Sequence, residues 1–367
     1  MLVVTSVLGG CHVRVPFSPR LLQSWRGLSH PRRLVQVLLL ITTLIVGLRF
    51  WLFVLQFQPE GGSPGATPAM TGPAAPHYSR PVSVEAFLPI GALIALKAWL
   101  TTGWWDPVHP AALVFLLMFA GVAFLLKRGF CSWVCPVGTL SEALARAGRW
   151  LFGQNLRPPL WLDRLLMAPK YLLLLFFVGS VWNGMSGVAA RQFLATPYWL
   201  MADVKMLRFF QAPSLLTVQV LVALAVLSLL VEGFWCRYLC PYGALLGIIS
   251  IPSPFTIRRN PATCIGCNRC DAVCAARLRV SESRSIRSPE CTGCLDCIAA
   301  CPVRKDTALM LSLPARTAHL GPWSYAVALL CVMFLAIALG QAAGHWQTVL
   351  TAKDFGRLVP FVDSFGH

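Results

Sequence analysis

Two runs of four cysteines in the second half of the chain are the residues best suited to redox chemistry. Both runs have the spacing C-x2-C-x2-C-x3-C, which holds pairs of [4Fe–4S] clusters, and the fourth cysteine of each run binds the other cluster. One predicted ligand set is Cys264, Cys267, Cys270 and Cys301, and the other is Cys291, Cys294, Cys297 and Cys274. The sequence therefore predicts two [4Fe–4S] clusters within 38 residues.

The residues around these cysteines fit the same interpretation. Gly266 and Gly293 lie between the first two ligands of each run, where a tight turn brings the backbone close to a cluster. Pairs of the form C-x2-C also hold structural zinc, but two complete runs favour clusters over zinc or disulfides. Ala275 follows the first run where Pro302 follows the second. Because proline is not a ligand, we expect a local difference in geometry there and no loss of a cluster.

A second cysteine motif occurs twice. The pattern G-F-(x)-C-x3-C-P-x-G-x-L spans residues 129–140 and 233–245 and contains Cys131, Cys135, Cys236 and Cys240. Residues four apart share one face of a helical turn, and a proline after the second cysteine frees backbone N–H groups that can bond to sulfur. The four cysteines could hold a third [4Fe–4S] cluster, bind copper as Cu(I), or act as redox-active thiols or disulfides. We favour a metal or cluster site between two duplicated half-units.

The composition is typical of a membrane protein. Hydrophobic residues make up 56% of the chain, mean hydropathy is +0.65, and only 12% of residues are charged, where a soluble protein would have about 25%. The 31 Lys and Arg residues outnumber the 14 Asp and Glu residues. In this context the excess indicates cytoplasmic loops of a membrane protein, and we expect no nucleic-acid partner.

Five apolar runs are candidate transmembrane helices, since a helix needs about 20 mostly apolar residues to cross the bilayer. They are Leu34–Phe57, Ala111–Leu126, Ala168–Trp182, Leu215–Val231 and Trp323–Ala343. A sixth stretch, residues 84–100, contains Glu85, Pro89 and Lys97. If this stretch is re-entrant, most of the Lys and Arg residues fall on one side of the membrane, as the positive-inside rule requires. We therefore predict five transmembrane helices and one re-entrant segment that is packed among them.

The predicted fold is an α-helical polytopic membrane protein with an inserted bacterial-type 2[4Fe–4S] ferredoxin domain of the α+β class. Residues 1–33 form a basic cytoplasmic tail, and residues 34–253 form a membrane domain with duplicated C-x3-C-P half-units. Residues 254–318 form the cytoplasmic ferredoxin domain, and residues 319–367 form a last transmembrane helix and a short periplasmic tail. Because iron–sulfur clusters need reduced thiols, we expect a bacterial inner-membrane protein with its ferredoxin domain in the cytoplasm.

Glu85 is the candidate catalytic residue of the membrane domain. Ionisable residues at membrane depth are candidates for function, and Glu85 could relay a proton from a quinol. Alternatively, it could stabilise the N-terminus of its own segment. Lys97 is expected to pair with a carboxylate or to reach towards the membrane surface.

The paired C-x3-C-P motifs, followed by the two ferredoxin runs, resemble the NapH/NosR/CcoG polyferredoxin group. The V-E-A-F segment at residues 84–87 resembles the NapH and NosR members, and the resemblance covers roughly residues 34–310. It implies an inner-membrane electron carrier. NapH-like members pass quinol electrons towards periplasmic reductases, NosR-like members support nitrous oxide reductase, and CcoG-like members reduce copper for oxidase assembly. The chain looks closest to NapH or to an orphan relative of the group, since we find neither an N-terminal flavin-binding domain of the NosR type nor a C-terminal immunoglobulin-like domain of the CcoG type.

We therefore expect an iron–sulfur electron-transfer protein that connects the quinol pool or a cytosolic donor with a redox partner such as a cytochrome or a periplasmic reductase. It could be a subunit of the quinol dehydrogenase type, with bound quinone. Two alternatives are a copper-handling or copper-reducing assembly factor and a redox-sensing regulator.

Overall fold

The computed structural model describes residues 30–57, 78–303, 308–314 and 318–365. These residues are mostly helical. The α-helices are α1 His30–Leu55, α2 Pro89–Thr102, α3 Pro110–Leu126, α4 Pro136–Phe152, α5 Leu160–Leu166, α6 Ala168–Trp182, α7 Gly187–Phe193, α8 Pro197–Leu200, α9 Ala202–Gln211, α10 Leu215–Leu230, α11 Pro241–Ile249, α12 Arg269–Ala272, α13 Asp296–Ala299, α14 Pro322–Ala342 and α15 Ala352–Leu358.

Each of the five predicted apolar runs corresponds to a helix, although the first, fourth and fifth runs extend one or two residues beyond the end of theirs. Three helical segments are long and apolar enough to cross a membrane, namely Pro31–Leu55, Leu160–Trp182 and Pro322–Ala342. Helices α9 and α10 qualify only as a pair, which is bent by 77°, and α3 is a shorter apolar helix of 17 residues. The described residues thus contain three candidate spans, or four with the bent pair, and the number of five crossings stays a prediction.

The sixth apolar stretch folds as a 3-10 turn, Val82–Phe87, followed by α2. Helix α2 packs against α3 and α7, and Ala92, Ala95 and Ala98 are buried in the contact. Lys97 has no carboxylate partner among the residues that the structure describes. Its Nζ donates to the carbonyl oxygens of Val181 (2.9 Å) and Trp182 (2.6 Å), and also to that of Met185. The cation thereby stabilises the C-terminal end of α6, where unpaired carbonyl groups carry partial negative charge.

The ferredoxin region contains a small antiparallel sheet and two one-turn helices. The strands are β1 Thr256–Arg259, β2 Ser285–Ile286, β3 Leu309–Ser312 and β4 His319–Leu320, in the order β2-β1-β3-β4. Ile257 pairs with Ile286 and with Leu311 in the middle of this sheet, and all three side chains are buried. The predicted boundary at residue 318 falls beside β4, and residues 1–29 of the predicted tail lie outside the described residues.

The ferredoxin region and the membrane helices share one hydrophobic core. Buried residues of the sheet lie in the same hydrophobic cluster as three residues outside it: Phe119 of α3, Trp133 of the turn after α3, and Tyr325 of α14. The Tyr325 hydroxyl donates to the Leu126 carbonyl oxygen at 2.7 Å, and so ties α14 to the end of α3. A continuous core fixes the positions of the cysteines in one region relative to those in the other.

Candidate iron–sulfur sites

The first cysteine quartet of the ferredoxin region lines one pocket. Cys264, Cys267, Cys270 and Cys301 all contribute to its wall. Gly266 has a φ of +67°, a backbone conformation that L side chains rarely adopt. The Gly266 backbone N–H bonds to the Cys264 sulfur, and this bond together with one from Arg259 lowers the pKa of that thiol. Cys267 is exposed, so this pocket opens towards solvent.

The second quartet lines a separate pocket. Its cysteines are Cys274, Cys291, Cys294 and Cys297. Gly293 has a φ of +64° and takes the position that Gly266 has in the first run. Cys291 and Cys297 are buried, and burial raises the pKa of Cys294 well above the usual thiol value. The fold thus brings together the same two cysteine quartets that the sequence spacing predicts. One quartet lies near solvent and the other lies in the protein interior.

The donor sets fit a polynuclear group. Within the described ranges, no three His, Cys, Asp or Glu side chains lie close enough to one another to hold a single metal ion. Each quartet instead surrounds a pocket, and backbone N–H groups point at its sulfurs, as at Cys264 and Cys291. Four thiolates around a pocket, with N–H groups bonded to sulfur, fit a [4Fe–4S] cluster.

The four remaining motif cysteines also meet. Cys131 lies in a π-helical turn, Phe130–Val134, and Cys236 lies in an equivalent turn, Trp235–Leu239. Cys135 and Cys240 follow directly after these turns, and all six pairs among the four thiols are close enough to interact electrostatically. The cysteines of the two half-units therefore lie near one another in the fold.

The sequence explains the shape of these turns. Pro136 and Pro241 are the first residues of α4 and α11, where a missing N–H costs nothing. Cys240 is the residue that caps α11, and its Sγ accepts the Gly243 N–H at 3.3 Å. A side chain at Gly138 would place its Cβ 2.2 Å from the Cys131 carbonyl oxygen, so this position requires glycine.

Both C-x3-C turns contact the loops that hold the second ferredoxin quartet. The Ser132 hydroxyl donates to the Thr292 carbonyl oxygen at 2.7 Å, and the Trp133 indole N–H donates to that of Gly293 at 3.1 Å. Arg237, from the other turn, donates to the Ala275 carbonyl oxygen at 3.1 Å. The site of the membrane domain and the buried ferredoxin site are thus joined by direct hydrogen bonds.

Buried ion pairs hold the two regions together, and sequence reasoning did not identify them. Arg32 of α1 reaches Asp296 at 2.8 Å and Glu142 at 2.5 Å. Lys170 pairs with Glu290 at 2.7 Å. Burial alone would raise the pKa of Glu290, but Arg128 and Lys170 outweigh it and lower that pKa. In the sequence, the arginine and lysine residues of these ion pairs served only to predict the topology. Nothing in the sequence indicates that their acidic partners lie more than 100 residues away.

A second buried polar group lies at the start of α3, about 25 Å from the C-x3-C turns by the length of that helix. Glu85 is 1% exposed. Its Oε2 accepts the backbone N–H groups of Ala111 (2.8 Å) and Ala112 (3.1 Å), and its Oε1 pairs with Arg80 at 2.8 Å. Glu85 thus caps α3 rather than its own segment. His109 is fully buried, and its Nε2 lies 2.9 Å from the Trp199 carbonyl oxygen.

Family models match both groups of cysteine sites. A 4Fe-4S binding domain matches residues 108–157 and again residues 213–259, which contain the two C-x3-C-P motifs. A 4Fe-4S dicluster domain matches residues 256–302, which contain both ferredoxin runs. The fold and its sites therefore define an iron–sulfur membrane protein.

The relatives of this chain are also consistent with an iron–sulfur membrane protein. The chain is 38% identical to YccM of Escherichia coli, named provisionally as an electron transport protein, over 94% of this chain and 93% of that protein. It is 31% identical to the regulatory protein NosR of Pseudomonas aeruginosa over 53% of this chain and 27% of NosR. It is 28% identical to the ferredoxin-type protein NapH of Escherichia coli over 48% of this chain and 59% of NapH. The chain belongs to the membrane polyferredoxin family, as the sequence predicted. No solved structure matches it.

Proposed function

We propose that this protein carries electrons between the two ends of a line of three iron–sulfur sites. The first site is the exposed ferredoxin quartet, the second is the buried quartet, and the third is the C-x3-C-P quartet in the membrane domain. When bound, [4Fe–4S] clusters supply one-electron chemistry. The observation that carries the proposal is the set of hydrogen bonds from Ser132, Trp133 and Arg237 to the loops of the buried quartet.

The surroundings of the third site support an electron-transfer role. Phe119, Phe130 and Tyr242 pack together with ring centroids 3.9 to 6.4 Å apart. Tyr242 lies within electrostatic range of Cys131, Cys135 and Cys240. Cys131, Cys135 and Tyr242 pack against the hydrophobic cluster that contains Phe119 and Phe130, and burial is one of the factors that set a cluster potential.

The topology is part of the same proposal. The chain crosses the bacterial inner membrane five times, with the ferredoxin region in the cytoplasm and residues 84–100 as a re-entrant segment. Basic residues concentrate on the side of the ferredoxin region, in agreement with the positive-inside rule. The YccM relative is named for electron transport and the NapH relative as ferredoxin-type, which supports an electron-transfer role. A quinol or a respiratory redox protein as the exchange partner is part of the proposal.

Iron analysis tests the proposal. We expect about twelve irons and about twelve acid-labile sulfides per chain after anaerobic purification, and about eight of each in a Cys131/Cys135/Cys236/Cys240→Ser variant. Reduction of the wild type by a short-chain quinol should bleach the visible iron–sulfur absorption. A value of about eight irons in both proteins would exclude a third cluster. The C-x3-C-P quartet would then be left with copper or thiol chemistry, and stoichiometric Cu(I) binding would reveal a copper site.

A further inference from the structure

The two halves of the ferredoxin region carry equivalent loops, Cys264–Cys270 and Cys291–Cys297. Gly266 and Gly293 have φ values of +67° and +64°. Asn268 and Leu295 also share a left-handed conformation, with φ values of +54° and +65°. A one-turn helix, α12 or α13, follows at the same position in each half. The two loops therefore have the same backbone conformation.

The membrane domain covers the second loop. Ser132 and Trp133 donate to the carbonyl oxygens of Thr292 and Gly293. Asp296, the first residue of α13, pairs with Arg32, and only 14% of the Asp296 side chain is exposed. This loop is thus a docking surface that is already occupied, with a carboxylate as its ionic contact.

The first loop has the opposite character. Ile265 is 68% exposed, and Gly266, Cys267, Asn268 and Arg269 are also exposed. Arg269 stands where the second loop has Asp296, so the ionic contact has the opposite sign. Neither a hydrogen bond nor an ion pair joins the Arg269 side chain to any described residue. The loop thus combines an apolar centre with an unused cation at its edge, as protein docking sites commonly do.

We propose that the Cys264–Cys270 loop is the docking site of a small soluble one-electron carrier protein with carboxylates around its redox centre. The proposal rests on the proposed function, because the first quartet is then the terminal site on this side. The positive charge of Arg269 attracts an acidic partner to the first loop. The same charge would repel Arg32 of the membrane domain, so the membrane domain binds the second loop and the carrier binds the first. In one encounter the carrier loses one electron and the iron–sulfur site gains it, or the reverse, and no bond or proton is exchanged.

Stopped-flow reduction of the full-length protein tests this surface. The iron-loaded protein would be held in neutral phosphatidylcholine nanodiscs and mixed anaerobically with reduced plant-type ferredoxin as the acidic carrier. Methyl viologen radical cation serves as the small-molecule reductant. At low ionic strength, we expect Arg269→Glu to slow reduction by ferredoxin about tenfold, and the difference should vanish in about 0.5 M salt. Viologen should not be slowed.

The matched control is Arg287→Glu, which makes the same charge change at an exposed residue of the other half. We expect less than a twofold effect on reduction by ferredoxin in this variant. Iron content is measured for every variant, and Arg269→Gln replaces Arg269→Glu if the latter loses iron. Equal slowing in the two Glu variants would show a net-charge effect and overturn the docking site.

Two further outcomes separate the docking site from the function it rests on. If viologen reduces the wild-type protein and ferredoxin does not, the docking site alone is overturned. If neither reductant reduces it, the proposed function is overturned as well. A defect of Arg269→Glu that appears only in nanodiscs with anionic lipid would assign the loop to lipid headgroups and would also contradict the proposal.

Discussion

Trp133 donates its indole N–H to the carbonyl oxygen of Gly293 at 3.1 Å, and the two residues are 160 positions apart in the chain. Trp133 lies between Cys131 and Cys135, whereas Gly293 lies between Cys291 and Cys294. One hydrogen bond therefore connects a loop of the membrane-domain site with a loop of the buried ferredoxin site. Because Trp133 is 1% exposed, water cannot replace this bond.

Replacing Trp133 by phenylalanine should destabilise the contact between the two regions. The variant keeps an aromatic ring but leaves the Gly293 carbonyl without this donor, at a cost of about 1–3 kcal/mol. We expect a lower Tm in detergent, measured by the loss of the visible iron–sulfur absorption on heating. Trp150→Phe is the control, because Trp150 of α4 is 83% exposed, and it should leave Tm unchanged. Equal Tm values for the two variants would show that the hydrogen bond does not stabilise the contact.

The proximity of the four C-x3-C-P cysteines makes a prediction for half-site variants. If the four cysteines hold one cluster, Cys131/Cys135→Ser should lower iron from about twelve to about eight per chain, and Cys236/Cys240→Ser should do the same. The quadruple variant should then lose no more than either double variant. Two independent sites would instead give additive losses, which iron analysis of the three variants detects.

The glycines after the C-x3-C-P motifs provide a matched pair of variants. A Cβ at Gly138 would lie 2.2 Å from the Cys131 carbonyl oxygen, whereas at Gly243 the nearest atoms, the Cys236 carbonyl oxygen and Cys240 Sγ, are 3.6 Å away. Gly138→Ala should therefore displace the Cys131 turn and lower iron by about four per chain, while Gly243→Ala should retain all of it. A greater loss of iron in Gly243→Ala than in Gly138→Ala would contradict the close contact at Gly138 and the open space at Gly243.

Local patterns in the sequence account for the helices and for the grouping of the cysteines. The run predicted at Ala168–Trp182 is helical over the same residues, because Pro169 and the apolar residues after it set its start and its length. The pairing of Arg32 with Asp296, 264 residues away, leaves no such trace, since a charge pattern does not name its partner. The same holds for Glu85, whose contact with the start of α3 depends on how the chain turns back after α2.

Substitution of Glu85 distinguishes a proton relay from a helix cap, because the two roles respond differently to the same variant. Glutamine at residue 85 has one acceptor oxygen, whereas the carboxylate serves both the Arg80 guanidinium and the N–H groups of Ala111 and Ala112. Arg80 would also lose one of its two buried carboxylates, the other being Asp203. Removing one partner of a buried ion pair costs about 3–5 kcal/mol. We therefore expect a lower Tm for Glu85→Gln.

The rate of reduction separates the two roles. With both oxygens bonded and a side chain closed to solvent, Glu85 should act as a structural group, and the folded fraction of Glu85→Gln should accept electrons from a short-chain quinol at nearly the wild-type rate per iron. Asp203→Asn is the control, since it weakens the same arginine without touching α3. A relay would show a rate lower by about a hundredfold or more, with reduction by dithionite unchanged. That result in protein of normal Tm would contradict the capping role and would place the quinol near the N-terminal end of α3.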